Sequence, residues 1–210
     1  MSVVDLVFPA LGKSLPVNHG YALYGAVSRV LGPESHQVDG VGLFSIGGQQ
    51  TSPGQLQLMP RSCLRVRTPL DCLPGLLSLS GRQLEIDGHS IRLGVPRTMG
   101  LIPAASLSAR LVTIKGFAEP EPFLAAVQRQ LDVLNVKGKP AIPLRCRGPH
   151  EGKPIRRILR IKDKKVVGFA LLITELSAEE SILLQEQGIG GRRHMGCGLF
   201  LPMQRRSSQK

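Results

Sequence analysis

From Ser108 to Leu201 the apolar residues switch back and forth between the two-residue period of a strand and the longer period of a helix. The order of those switches admits few folds. Residues 108–115 read as a strand. Residues 120–135 read as a helix, with Phe123, Val127, Leu131 and Leu134 on one face. Residues 144–147 are strand-like, and residues 155–162 and 165–174 read as two strands joined at Asp163-Lys164. Ser177-Ala-Glu-Glu180 has the spacing of a capping box, in which serine and glutamate satisfy each other's backbone N–H, and it opens a helix to Gln187. Residues 198–201 close the chain as a strand. The pattern is β-α-β-β-α-β, the ferredoxin-like order.

The first half follows the same order with more irregular loops. Residues 3–8 form a β-branched, apolar strand. A helix follows over residues 19–31, with Leu23, Val27, Val30 and Leu31 at helical spacing, Asn18 as its N-cap and Gly32-Pro33 as its stop. Further strands are expected at 41–46, 55–59 and 63–67, a turn over 47–54 and a short helix over 70–79. A hairpin is expected at Asp87-Gly88. Residues 94–103, rich in glycine and proline, read as a linker. The expected architecture is α+β: two tandem ferredoxin-like (βαββαβ) domains, residues 1–103 and 104–210.

Composition narrows the function. No apolar run reaches the length of a membrane span, and no signal peptide opens the chain, so a soluble cytoplasmic protein is expected. Cys63, Cys72, Cys146 and Cys197 form no CxxC pair, and the five histidines form no HxH or HxxxH pair, so neither a metal nor a cofactor is expected. The formal charge is +12, and it is lopsided. Residues 1–104 hold 8 basic and 6 acidic side chains, and residues 105–210 hold 19 and 9. Such a field favours a phosphate-rich partner. With no tryptophan, two tyrosines and six phenylalanines, a sheet of base-stacking aromatics is not expected.

Two segments concentrate the basic character. Residues 137–165 hold eleven Lys and Arg against Glu151 and Asp163. Within them Arg156, Arg160, Lys162 and Lys164 share one strand parity with Ile158, while Leu159 and Ile161 share the other. One face can pack while the other meets phosphate, and Arg156, Arg157, Arg160, Lys162, Lys164 and Lys165 are the candidate contacts of this hairpin. The other segment is Gly188-Ile-Gly-Gly-Arg-Arg-His-Met-Gly-Cys-Gly-Leu-Phe200. It is neither a Walker loop nor a dinucleotide fingerprint. Gly188, Gly190, Gly191 and Gly196 free the backbone, and Arg192, Arg193 and His194 supply donors for phosphate. For acid–base chemistry the candidates are His19, at the helix start, and His36, just beyond its end, with Tyr21 able to assist.

The glycine segment resembles the C-terminal loop of the CRISPR repeat-processing endoribonucleases, the Cas-six family of the RAMP superfamily. Pro16-Val-Asn-His-Gly-Tyr-Ala-Leu-Tyr-Gly-Ala-Val-Ser-Arg29 resembles the opening helix of that family's Myxan-type subgroup. The resemblance implies a metal-independent nuclease that cuts a CRISPR transcript within its repeat. The ribose 2′-OH attacks the neighbouring phosphate, leaving a 2′,3′-cyclic phosphate and a 5′-OH. It implies a catalytic histidine at His19 or His36, with the subgroup motif favouring His19. It also implies that the protein stays on the 3′ hairpin of the crRNA as a subunit of a Cascade-type effector complex. A non-catalytic crRNA-binding subunit is the alternative.

Overall fold

The computed structural model describes residues 2–32 and 41–203. They fall into two compact units. The first comprises Met1–Leu101, Ile158–Val166 and Arg192–Gly196; the second comprises Ile102–Arg157, Val167–Gly191 and Cys197–Lys210.

In the first unit the chain runs β1 (Val3–Gly12), β2 (Ser14–Pro16), α1 (Gly20–Leu31), β3 (Gly42–Leu43), β4 (Gln49–Ser52), β5 (Gln55–Gln57) and β6 (Cys63–Pro69). It continues through α2 (Leu73–Leu77), β7 (Gln83–Ile86), β8 (His89–Leu93) and β9 (Arg97–Gly100). The main sheet has the order β3-β6-β1-β8-β7, with β9 also on β1. Counting β1, β3, β6 and β8 as the four strands of a βαββαβ fold, their order is second, third, first, fourth, as a ferredoxin-like fold requires. Leu6, Phe8 and Ala10 of β1 alternate into a core with Leu23 and Val27 of α1, Leu64 and Val66 of β6 and Ile91 and Leu93 of β8. Burying this apolar surface is the main term favouring the fold.

One charged cluster sits inside that unit. Asp5 lies opposite Arg67 in the β1–β6 register. Arg67 Nε donates to Asp5 Oδ1 at 2.8 Å and its Nη2 to Oδ2 at 2.9 Å, while Arg65 Nη1 also donates to Oδ2 at 2.8 Å. The Phe44 ring lies 5.0 Å from the Arg67 guanidinium. Arg67 is fully buried, and a guanidinium there needs the bidentate carboxylate and the ring face to offset its lost hydration.

From Leu107 the chain runs β10 (Leu107–Val112), α3 (Pro120–Val133), β11 (Lys139–Ala141), β12 (Arg156–Ile161), β13 (Lys164–Thr174), α4 (Ala178–Gln187) and β14 (Phe200–Pro202), all in the second unit except residues 158–161 of β12 and 164–166 of β13. The sheet order β11-β13-β10-β14, with β12 also on β13, repeats the second-third-first-fourth pattern. Phe123, Val127 and Leu131 of α3 and Leu184 of α4 pack on Ala109, Val112, Phe169 and Leu171 of the sheet. The capping box forms as the sequence predicts: Glu180 N–H donates to Ser177 Oγ at 3.2 Å and Ser177 N–H to Glu180 Oε2 at 2.8 Å. The second carboxylate oxygen, Oε1, accepts the Lys137 N–H at 2.7 Å. These backbone donors hold the Glu180 carboxyl below its usual range, Ser177 more than Lys137.

Several expectations need correction. The linker 94–103 contains β9, which pairs with β1 through backbone bonds that make no demand on side-chain pattern. The turn 47–54 holds the polar strand β4, in a small sheet of order β2-β5-β4. The strand at 41–46 shrinks to Gly42–Leu43, and 144–147 keeps only the bridge Leu144–Pro154. The helix at 70–79 becomes a 3-10 turn, Leu70–Cys72, followed by the five residues of α2. The N-cap of α1 is His19, not Asn18. Asn18 instead donates to Ile158 O at 2.9 Å and accepts from Arg160 N–H at 3.2 Å. Among the described residues no helix is long and apolar enough to cross a membrane.

Candidate functional site

His19 precedes α1 and is 1% exposed. Its Nδ1 lies 2.6 Å from Pro16 O, and its Nε2 accepts the Ile46 N–H at 3.0 Å. A carbonyl can only accept and an amide N–H can only donate, so Nδ1 carries the hydrogen and Nε2 is the acceptor. Both nitrogens are engaged by backbone, and the ring has no open edge for a ribose hydroxyl. The ring thus braces two loops, those holding Pro16 and Ile46. His36 lies outside the described residues. Tyr21, the second residue of α1, is half-buried.

The glycine loop begins where α4 ends. Gly188 takes φ +69° at the helix C-cap and donates to Leu184 O, which only a residue without Cβ does cheaply. Gly190 N–H donates to Gln130 Oε1 at 2.8 Å, and Gly191 N–H to Thr113 O at 3.1 Å. These two amides are therefore occupied inside the second unit, where the sequence suggests phosphate donors. Arg192 adopts a left-handed φ of +64°, and a 3-10 turn, Arg193–Met195, follows. Gly196 also has positive φ, and a Cβ on it would meet Ser45 Oγ at 2.9 Å.

The loop's basic side chains divide by environment. Arg193 is half-buried. Burial, and secondarily the charge of Arg67, lower its pKa. Arg193 is thus a packed arginine. Burial, and secondarily Arg192, lower the pKa of His194. The His194 ring lies against Tyr24, with centroids 4.5 Å apart and planes at 51°. The two rings sit at a shallow hollow lined with Val27, Leu31, Val41 and Leu76. This pairing joins residues 170 positions apart, beyond the reach of any local sequence pattern.

The basic hairpin is exposed along one edge. Arg156, Ile158 and Arg160 of β12 are exposed while Leu159 is buried, as the strand parity predicts. The alternation stops at Lys162, whose φ of +51° places it in the turn with Asp163, so Lys162 and Lys164 do not continue the face as expected. Lys164 and Lys165 are exposed on β13. Arg157 has the opposite parity and is half-buried; burial, then the charge of Arg145, lower its pKa. Among the described residues no three His, Cys, Asp or Glu side chains converge.

Comparison with known proteins matches this architecture to one family. The family described as "Cas6 Crispr" matches residues 4–205. The chain is 44% identical over 202 residues to the CRISPR-associated endonuclease Cas6 of Myxococcus xanthus (strain DK1622), covering 96% of this chain and 82% of that protein. Among solved structures it resembles a Cas6-related protein from Pyrococcus furiosus, with TM-score 0.69 and 14% identity, over 97% of this chain and 100% of that one. It also resembles a RAMP protein described as binding different RNA substrates, with TM-score 0.67 and 12% identity, over 96% and 100%. Identities this low speak for the fold alone: tandem ferredoxin-like domains.

Proposed function

Because the chain belongs to the Cas6 family, we propose that it is an endoribonuclease that cuts CRISPR precursor transcripts within the repeat without a metal ion. The observation that carries this is the 44% identity, across nearly the whole chain, to a Cas6 endonuclease. The reaction is attack by a ribose 2′-OH on the adjacent phosphorus. A base removes the 2′ proton, the bond to O5′ breaks, and O5′ takes up a proton. The products are a 2′,3′-cyclic phosphate and a 5′-OH. Imidazole titrates near neutrality and serves either proton transfer.

We assign the acid–base role to His36. His19 has both ring nitrogens committed to Pro16 and Ile46. Tyr21 lies two residues beyond His19 and can assist. Arg192 and the exposed Arg156, Arg160, Lys164 and Lys165 supply charge for the RNA backbone. The scarcity of aromatics fits recognition of a hairpin by shape and phosphate. After cutting, the protein stays on the 3′ hairpin of the crRNA in the cytoplasm and enters a Cascade-type effector complex.

The test is incubation of end-labelled repeat RNA with the protein in excess EDTA. One discrete cut bearing a cyclic-phosphate end is expected. Retention of the intact repeat without any cut, across several candidate repeats, would leave a binding subunit instead.

A further inference from the structure

Building on the RNA-processing reading, we infer that Arg110, Arg145 and Arg157 form a subsite for a single backbone phosphate of the bound RNA. All three belong to the second unit. Arg110 lies where the β10–β13 register shifts, between Ala109 and Val112. Such a bulge re-aims side chains. Here Leu111 takes the buried place and Arg110 stays exposed. Strand β13 separates β10 from β12, and Ala170 N–H donates to Ile155 O at 3.0 Å. Counting two residues along each strand of that hairpin brings Arg157 level with Gly168. Gly168 has no side chain to stand between β10 and β12. A Cβ there would meet Leu111 Cδ1 at 2.8 Å and Thr113 Cγ2 at 2.9 Å. Arg145 is held on the preceding arm: its N–H donates to Lys153 O at 3.0 Å and its carbonyl accepts from Gly152 at 2.9 Å.

The electrostatics agree with this placement. Although Arg110 reaches solvent, the protein packed around it removes part of its hydration and is the main cause that lowers its pKa; Arg157 is next, against an opposing effect of Cys197. Arg157 in turn feels Arg145. Arg157 is thus the cation that both Arg110 and Arg145 stand close to. Arg157 Nε is shut off from solvent with no hydrogen-bond partner among the described residues. A buried donor left unmade is unfavourable, and so is a cluster of like charges. An anion with several acceptor oxygens relieves both, and guanidinium forks suit phosphate geometry.

The test uses the full chain and a series of repeat RNAs, each with one neutral methylphosphonate. The wild type should lose about tenfold in affinity at one linkage. Arg157→Gln should lose about tenfold on unmodified RNA and be indifferent to that linkage. Its salt slope should fall by about 0.7 to 0.9. Its Tm without RNA should hold or rise, because a repelling charge has gone; a merely structural arginine would lower it. Arg145→Gln, on the exposed arm, should show the same linkage-specific loss. Wild-type affinity and salt slope in both variants would overturn the subsite, as would retained sensitivity to that linkage. Binding without cutting in the wild type would count against the nuclease reading alone, since the methylphosphonate series reads affinity.

Discussion

His19 Nε2 accepts the backbone N–H of Ile46 at 3.0 Å, while its Nδ1 reaches Pro16 O. A histidine inside a family motif is thereby a loop brace. His19→Ala strands a buried donor and acceptor, which costs about 1–3 kcal/mol. Thermal unfolding should show a clear loss of Tm, and any fall in cutting should track the folded fraction. A His19→Ala protein of native Tm that fails to cut would return His19 to the chemistry.

His36→Ala should behave in the opposite way. Cutting should fall by about a hundredfold or more, with Tm and repeat affinity unchanged. A repeat carrying a 2′-deoxy sugar just before the cut should bind and stay whole. Cleavage of that deoxy substrate would rule out the 2′-OH nucleophile.

His194 makes stability pH-dependent. Burial, then Arg192, lower its folded pKa below the ordinary 6.5. As pH falls through 6.5 the unfolded chain takes up a proton that the folded chain refuses, so stability falls on acidification and is full above that pH. His194→Asn should flatten this part of the curve. Denaturant titrations at a series of pH values read it, and an unchanged slope would show that another group is responsible.

Gly20 opens α1 against the glycine loop. A Cβ there would meet Met195 O at 2.5 Å and Leu159 Cδ1 at 3.3 Å. Backbone must shift to admit it, so Gly20→Ala should destabilise by about 1–3 kcal/mol and weaken RNA binding through a displaced loop. Gly25 faces open space apart from the tip of Arg29 and serves as the control: Gly25→Ala should hold or gain stability.

Asp5→Ala leaves Arg67 buried without its carboxylate. Loss of one partner of such a pair costs about 3–5 kcal/mol. Chemical denaturation should show it, and a loss under 1 kcal/mol would mean that the Phe44 face suffices.

What was readable in the sequence is what local chemistry determines. The capping box at Ser177, the Asp87-Gly88 turn and the apolar faces of α1 and α3 each depend on a few neighbouring residues. Strand β9 was hidden because an edge partner needs backbone bonds and little apolar pattern. The burial of His19 and the partial burial of Arg193 were hidden because residue type does not report either. Arg193 looks like Arg192 in sequence, but burial first, and then the charge of Arg67 more than a hundred positions away, set its pKa. The divided ownership of the loop amides, with Gly190 given to Gln130 and Gly191 to Thr113, was equally non-local.

Glu180 has a consequence for the order of folding. One carboxylate oxygen closes a cap three residues away, and the other receives Lys137 from 43 residues away. The near bond needs only a turn of helix, whereas the far one must wait for a long loop to close. The cap therefore forms first and presents an oriented acceptor on which the chain leaving α3 can land. A helix-start signal thus also serves as a timed docking point, joining the beginning of one helix to the exit from another.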